Sequence, residues 1–290
     1  MKKKKKKKKK KNDEIEMNEN RNKVNVLFDN LSQQGKKALI CYVVGGYPDQ
    51  ETSKEIIKTL INSGADIIEI GIPFSDPMAD GPTIQQASLK ALEKGITPLK
   101  CFNLVNNLKK QFKDTPFLFM TYSNIVFSNN LRNFLIAAKK NHIDGFIIPD
   151  LNVEDSKEYL DLARTLGLAT IFLSAPNTTK KRLSEIASAS TGFVYMVSVF
   201  GITGSRQNFE KYTFDAVQKT KEIINRYKIP LAVGFGISNP TDGKNILKAG
   251  ADGIIIGSSV MKLIMDNEND KDKMLLELGN FIKELKAICK

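Results

Sequence analysis

The chain has 290 residues, 41% hydrophobic and 26% charged, with a formal net charge of +12. Its length suits one large α/β domain, and no apolar run approaches the roughly 18 residues of a membrane span. The positive charge suggests nucleic-acid binding until it is located. Residues 2–11, all lysine, hold ten of the 44 basic residues and leave 34 against 32 acidic ones, so the body of the chain indicates no basic binding face.

In chain order, residues 1–23 read as a disordered lysine-rich extension, because like charges repel and nothing there can be buried. The other reading is an electrostatic tail for acidic partners or membrane surfaces. The segment lacks the apolar core of a secretory signal and the acid-poor character of a transit peptide: Asp13, Glu14, Glu16 and Glu19 follow closely. A single domain is expected over 24–290. Its first strand spans 39–44, Asp49 caps a helix over 51–63, and Gly64-Ala65-Asp66 turns the chain into a strand at 67–70. Helical spacing over 98–112, 129–141, 155–166 and 180–189 leads into strands at 117–120, 145–148, 169–173 and 193–197. A helix over 214–226 precedes a strand at 231–234. Asn239-Pro240 opens the next helix, and Gly250-Ala251-Asp252 delivers the chain to a last strand at 253–256.

These eight apolar runs are continuous rather than alternating, as in strands buried on both faces. Eight βα units predict a single-domain (β/α)8 TIM barrel of the α/β class. A doubly wound open sheet fits less well, since no G-x-G-x-x-G follows the first strand; Val44-Gly-Gly-Tyr-Pro48 is a different turn.

The cysteines, Cys41, Cys101 and Cys289, are odd in number and far apart, which fits unpaired thiols in a reducing compartment. The expected location is the cytoplasm, with a plastid as the alternative. His142 is the only histidine, which argues against a histidine-based metal site or catalytic triad. No metal is expected.

One segment stands out, 69–82, EIGIPFSDPMADGP. Glu69 interrupts a run that otherwise reads as a buried strand, and the loop after it carries Asp76 and Asp80. Burying an ionised carboxylate costs several kcal/mol unless something compensates it, so an acid here is a candidate for proton transfer. If Ile68 and Ile70 face the helices, alternation turns Glu69 into the barrel mouth. The bland readings are an ion pair for Glu69, although no strand run holds a Lys or Arg, and a turn or cap for Asp80. Farther on, Gly234-Phe-Gly-Ile-Ser238 and Gly257-Ser-Ser259 end the seventh and eighth strands, where barrels commonly bind phosphate; tight turns are the alternative. Gly201-Ile-Thr-Gly204 and the polar stretch 205–211 read as a mobile loop able to close over a ligand.

EIGIPFSDPMADGP at 69–82, YMVSVFGITGSR at 195–206, VGFGIS at 233–238 and ADGIIIGSS at 251–259 resemble the tryptophan synthase alpha-subunit family, from about Leu39 to the C-terminal helix. The first block is highly specific, while the two phosphate turns are shared with many barrels. The resemblance implies a carbon–carbon lyase that cleaves indole-3-glycerol phosphate to indole and glyceraldehyde 3-phosphate in tryptophan biosynthesis. It implies that Glu69 is the principal acid/base and that Asp80 is a second carboxylate accepting the indole N–H. Tyr195 and Phe235 fall on substrate-contacting aromatics, and Thr203 on the loop threonine that orders Asp80. Gly204, Gly236, Gly257 and Ser258 fall on the phosphate cradle. From the residues alone, Tyr195 and Phe235 read as core aromatics. The resemblance further implies no cofactor in this chain and a beta-subunit partner carrying pyridoxal phosphate, in an alpha2-beta2 tetramer. Asn152 replaces a proline usual in the family's partner-facing segment, and Val199 and Phe200 stand where smaller or polar residues are common. Two rivals are a free-standing phosphate-binding barrel enzyme and a silent regulatory barrel.

Overall fold

The computed structural model describes residues 22–197, 206–234 and 237–290. Helix α1 (Lys23–Gln33) precedes strand β1 (Ala38–Val44), followed by α2 (Gln50–Asn62), β2 (Ile67–Gly71), α3 (Pro82–Glu93), α4 (Pro98–Lys109) and β3 (Phe117–Met120). Then come α5 (Ser123–Ser128), α6 (Leu131–Lys140), β4 (Gly145–Ile147), α7 (Lys157–Leu166), β5 (Ala169–Ser174), α8 (Lys180–Ala189) and β6 (Val194–Val197). The chain finishes with α9 (Arg206–Ile224), β7 (Leu231–Gly234), α10 (Pro240–Lys248), β8 (Gly253–Ile256), α11 (Ser258–Asp266) and α12 (Lys271–Ala287). Eight parallel strands pair in sequence order, and β1 closes the ring on β8. The chain is therefore the (β/α)8 barrel that the eight runs predict.

Local chemistry sets the helix starts. Asn22, Asp49, Thr97, Thr179 and Asn239 each accept a backbone N–H of the helix they open. Proline occupies the first turn of α3, α4 and α10, where its missing N–H is no loss. One expectation is corrected: the polar stretch after Ser205 is helical from Arg206, extending α9 by two turns. Arg, Gln, Glu and Lys are good helix formers but leave no apolar periodicity to read.

Side chains alternate between two cores. Ile40, Ile67, Leu118, Ile147, Ala169, Ile171, Phe193, Ala232 and Ile255 fill the barrel interior, while Ile68, Ile70, Phe119, Phe146, Val194 and Ile254 pack outward in the shell shared with the helices. Helix α1 plugs the N-terminal end of the barrel. Its Val24, Phe28 and Leu31 join the interior cluster, with Phe28 5.7 Å from the Phe193 ring.

A repeated device closes that end. Asp66, Asp144 and Asp252, directly before β2, β4 and β8, donate their N–H to the carbonyls of Leu39, Phe117 and Leu231, each at 2.8 Å. Their carboxylates accept the N–H of the same three residues at 2.7, 3.0 and 2.9 Å. Thr191 does the same to Thr170 ahead of β6. A helix lysine neutralises each aspartate: Lys286 for Asp66, Lys109 for Asp144 and Lys221 for Asp252. The Lys109–Asp144 pair is the most buried, with side chains 5% and 10% exposed. Removing one member of a buried pair strands the other charge. Asp144→Ala is expected to lower unfolding free energy by about 3–5 kcal/mol, against roughly 0.5 kcal/mol or less for Asp266→Ala in the exposed Lys262–Asp266 pair. Equal losses for the two variants in chemical denaturation would contradict this account of the closure.

Candidate active site

The C-terminal ends of the strands collect the acidic and phenolic groups. Glu69 lies on β2 in register with Tyr42 on β1 and Leu118 on β3. Ile68 and Ile70 belong to the outer shell, so Glu69 points inward, as alternation requires. It is fully buried, and neither carboxyl oxygen has a hydrogen-bond partner among the described residues. No lysine or arginine pairs with it there, so the ion-pair reading does not describe its surroundings. Burial, and then the nearby Asp80 carboxylate, push the Glu69 carboxyl up to about 8. At neutral pH it is a neutral acid holding a proton.

Asp80 comes from the loop after β2. The Tyr122 hydroxyl donates to its Oδ2 at 3.1 Å and accepts the Ala79 N–H at 3.0 Å. The Tyr122 ring stacks on Phe74 at 5.1 Å, and Gln85 donates to the Asp80 carbonyl at 2.8 Å. The Asp80 carboxylate does not cap α3, whose first turn has no side-chain cap. Burial raises Asp80 to about 6, with the Tyr122 hydrogen bond acting in the opposite direction. Asp76 is exposed, its carboxylate accepting from the Ser75 hydroxyl at 2.5 Å, and it serves loop structure.

Tyr195 on β6 and Tyr42 on β1 face the same space. Burial raises both hydroxyls well above their ordinary value, with Glu69 and Asp80 adding to the shift in each. Two glycines make room for them. A Cβ on Gly234 would lie 2.5 Å from the Tyr195 hydroxyl oxygen, and one on Gly71 would lie 2.1 Å from that of Tyr42. Tyr42 and Tyr122 are site residues that sequence reasoning missed. Tyr42 shares the inward alternation of Glu69 across β1 and β2; Tyr122, two residues beyond β3, carries no distinguishing pattern.

At the ends of β7 and β8, Gly257 is the N-cap of α11 and provides no side-chain cap. Ser258, exposed, is the first residue of that nine-residue helix. The Ser259 hydroxyl donates to the Ile237 carbonyl at 2.9 Å and ties the two turns together. A helix start with free N–H groups suits an anion. Thr203, Gly204, Phe235 and Gly236 lie outside the described residues, as do Val199 and Phe200. No group of three or more His, Cys, Asp or Glu among the described residues could hold a metal ion.

A family model described as tryptophan synthase alpha chain matches residues 28–290. The chain belongs to the tryptophan synthase alpha chain family. The match begins ahead of Leu39, inside α1. The alpha chain of Petrotoga mobilis is 43% identical over 266 residues, covering 92% of this chain and 99% of that protein. That of Francisella tularensis subsp. tularensis strain SCHU S4 is 40% identical over 267 residues, covering 92% and 98%. Tryptophan synthase from M. tuberculosis in an aminoacrylate-bound form superposes with a TM-score of 0.81 at 30% identity, covering 93% of this chain and 100% of that one. The Legionella pneumophila alpha chain gives 0.83 at 28% identity, covering 92% and 97%. The activity of the chain is accordingly the alpha-subunit lyase reaction of tryptophan biosynthesis, and family membership is consistent with no cofactor in this chain.

The raised carboxyl has a sign in stability. An acid whose folded pKa exceeds its unfolded value loses stability as pH climbs from about 4.5 to about 8. Glu69→Gln removes that loss. The variant is expected to gain on the parent by roughly 3 kcal/mol between pH 5 and 8 and to plateau above. Denaturation curves across this range check it, and a variant that loses ground as pH rises would show a stabilising carboxylate instead.

Proposed function

We propose that Glu69 and Asp80 divide the proton work of indole-3-glycerol phosphate cleavage. The observation that supports this most is the fully buried Glu69 carboxyl, without a hydrogen-bond partner among the described residues and beside a second acid of lower pKa. Two carboxyls whose surroundings push their pKa values apart suit separate acid and base roles.

Glu69, neutral at pH 7, gives its proton to indole C3. The resulting Glu69 carboxylate takes the proton of the side-chain hydroxyl. The bond between C3 and the side chain then breaks, its electron pair returns to the ring, and the hydroxyl carbon becomes the aldehyde. Asp80, ionised above about 6, accepts the indole N–H and stabilises the positive charge on the nitrogen while C3 is tetrahedral. Tyr195, and Phe235 by resemblance, line the ring. Gly257 and Ser258 at the start of α11, with Gly204 and Gly236 by resemblance, hold the phosphate. The role of ordering Asp80 is given to Thr203 by resemblance alone.

A beta subunit of tryptophan synthase, carrying pyridoxal phosphate, is the proposed partner in an alpha2-beta2 assembly. Met78 after β2, Phe127 in α5 and Asn152 after β4 are exposed, and Asn152 lies in the segment that faces the partner by resemblance. Three buried free cysteines suit a reducing compartment, and we assign the chain to the cytoplasm.

Glu69→Gln is expected to lower indole formation by about 10²–10⁴-fold with glycerol 3-phosphate binding unchanged; near-normal turnover would overturn the acid/base role. The kcat/KM profile should fall below about 6, as Asp80 protonates, and above about 8, as Glu69 loses its proton. Tyr122→Phe removes the hydrogen bond that lowers Asp80 and should move the acid limb to higher pH. An unmoved limb would show that Asp80 does not set it.

A further inference from the structure

The opposite end of the barrel carries a second concave site. A cavity of about 340 Å³ is lined by Lys23, Asn106, Lys109, Lys110, Lys113 and His142, from α1, α4 and the segments entering β3 and β4. Four lysines, a histidine and an asparagine line it, and no acidic residue is among the six. Lys109 is buried and committed to Asp144 at 2.9 Å and the Thr115 carbonyl at 2.8 Å. The Lys23 ammonium donates to the Lys113 carbonyl at 3.1 Å and that of Lys110 to Asn107 at 3.2 Å. Among the described residues, Lys23, Lys110 and Lys113 form no ion pair.

Helix fields separate a structural from a binding reading. Lysines at a helix C-terminus are favoured by the macrodipole, which accounts for Lys109 and Lys110 at the end of α4. It does not account for Lys23. That residue opens α1, where the same field opposes a cation and where no acidic residue stands in the first turn. Burial holds the Lys109 ammonium below the ordinary lysine range, and the charge of Lys23 acts in the same direction. The cluster thus concentrates like charge around one concavity, and an anion would relieve it.

We propose that this cavity binds a small oxyanion of the phosphate class bearing two or more negative charges. Lysine binds phosphate as a point charge through short N–H···O⁻ bonds, without the planar fork by which arginine selects carboxylates. A ligand chosen by ammonium groups alone is chosen by charge and size. That favours a compact polyanion over a monocarboxylate.

His142 is the only histidine in the chain, so its imidazole Cε1–H gives one assignable proton resonance at this cavity. The full-length protein is used without glycerol 3-phosphate, itself a phosphate-class dianion that would compete for the cavity; the His142 resonance reports on this end of the barrel. Pyrophosphate is then titrated at constant ionic strength. The expected result is a saturable shift of the His142 signal. In the Lys23→Ala/Lys113→Ala variant, which alters two exposed side chains, the apparent affinity should fall by about tenfold or more with the thermal midpoint unchanged. A His142 shift that does not saturate, or saturable binding of equal strength in the variant, would overturn the proposal.

Discussion

The site turns on one buried group, the Glu69 carboxyl, held inside the barrel with no hydrogen-bond partner among the described residues. Such a group folds in as a neutral acid, because ionising it in low-dielectric surroundings is costlier than keeping the proton. A strand fixes its position more firmly than a loop would, and β2 is paired on both sides. The closed ring keeps water from the interior, and the tyrosines packed over Gly71 and Gly234 roof it. The proton that the proposed chemistry draws on is thus stored by the fold itself.

That storage destabilises the C-terminal half of the barrel, and the N-terminal half offsets it. There Asp66, Asp144, Thr191 and Asp252 stitch alternate strand pairs by reciprocal hydrogen bonds, three of them with a lysine counter-charge. Helix α1 fills the opening with Val24, Phe28 and Leu31. Polar groups at one end are satisfied and structural, while Glu69, Asp80, Tyr42 and Tyr195 at the other are raised in pKa. Asp80 belongs to neither rigid half. It hangs on a loop steadied by Tyr122 and Phe74, which suits a group that adjusts when substrate arrives.

Much of this was legible in the residues. An acid inside a strand-like run marked Glu69, and the eight continuous apolar runs marked the barrel, because buried parallel strands need no polar face. Asp66 and Asp252 were visible only as turn residues; that their carboxylates close the sheet depends on register, which spacing does not encode. Tyr42 carried no signal of its own, because an aromatic in a strand is usually core. Tyr122 lies past the strand end, where no periodicity reaches. The polar start of α9 hid for want of an apolar stripe. A near-neutral body hid the lysine cavity, since Lys23 meets Lys109, Lys110 and Lys113 only once α1 docks on the barrel.

The proposed division of proton work requires that Glu69 carry its proton at neutral pH. The most direct measurement is the carboxyl carbon resonance of Glu69, labelled with carbon-13 and identified by its disappearance in Glu69→Gln, followed against pH in the ligand-free protein. The expected midpoint is near 8. A midpoint in the ordinary range near 4.5 would contradict it.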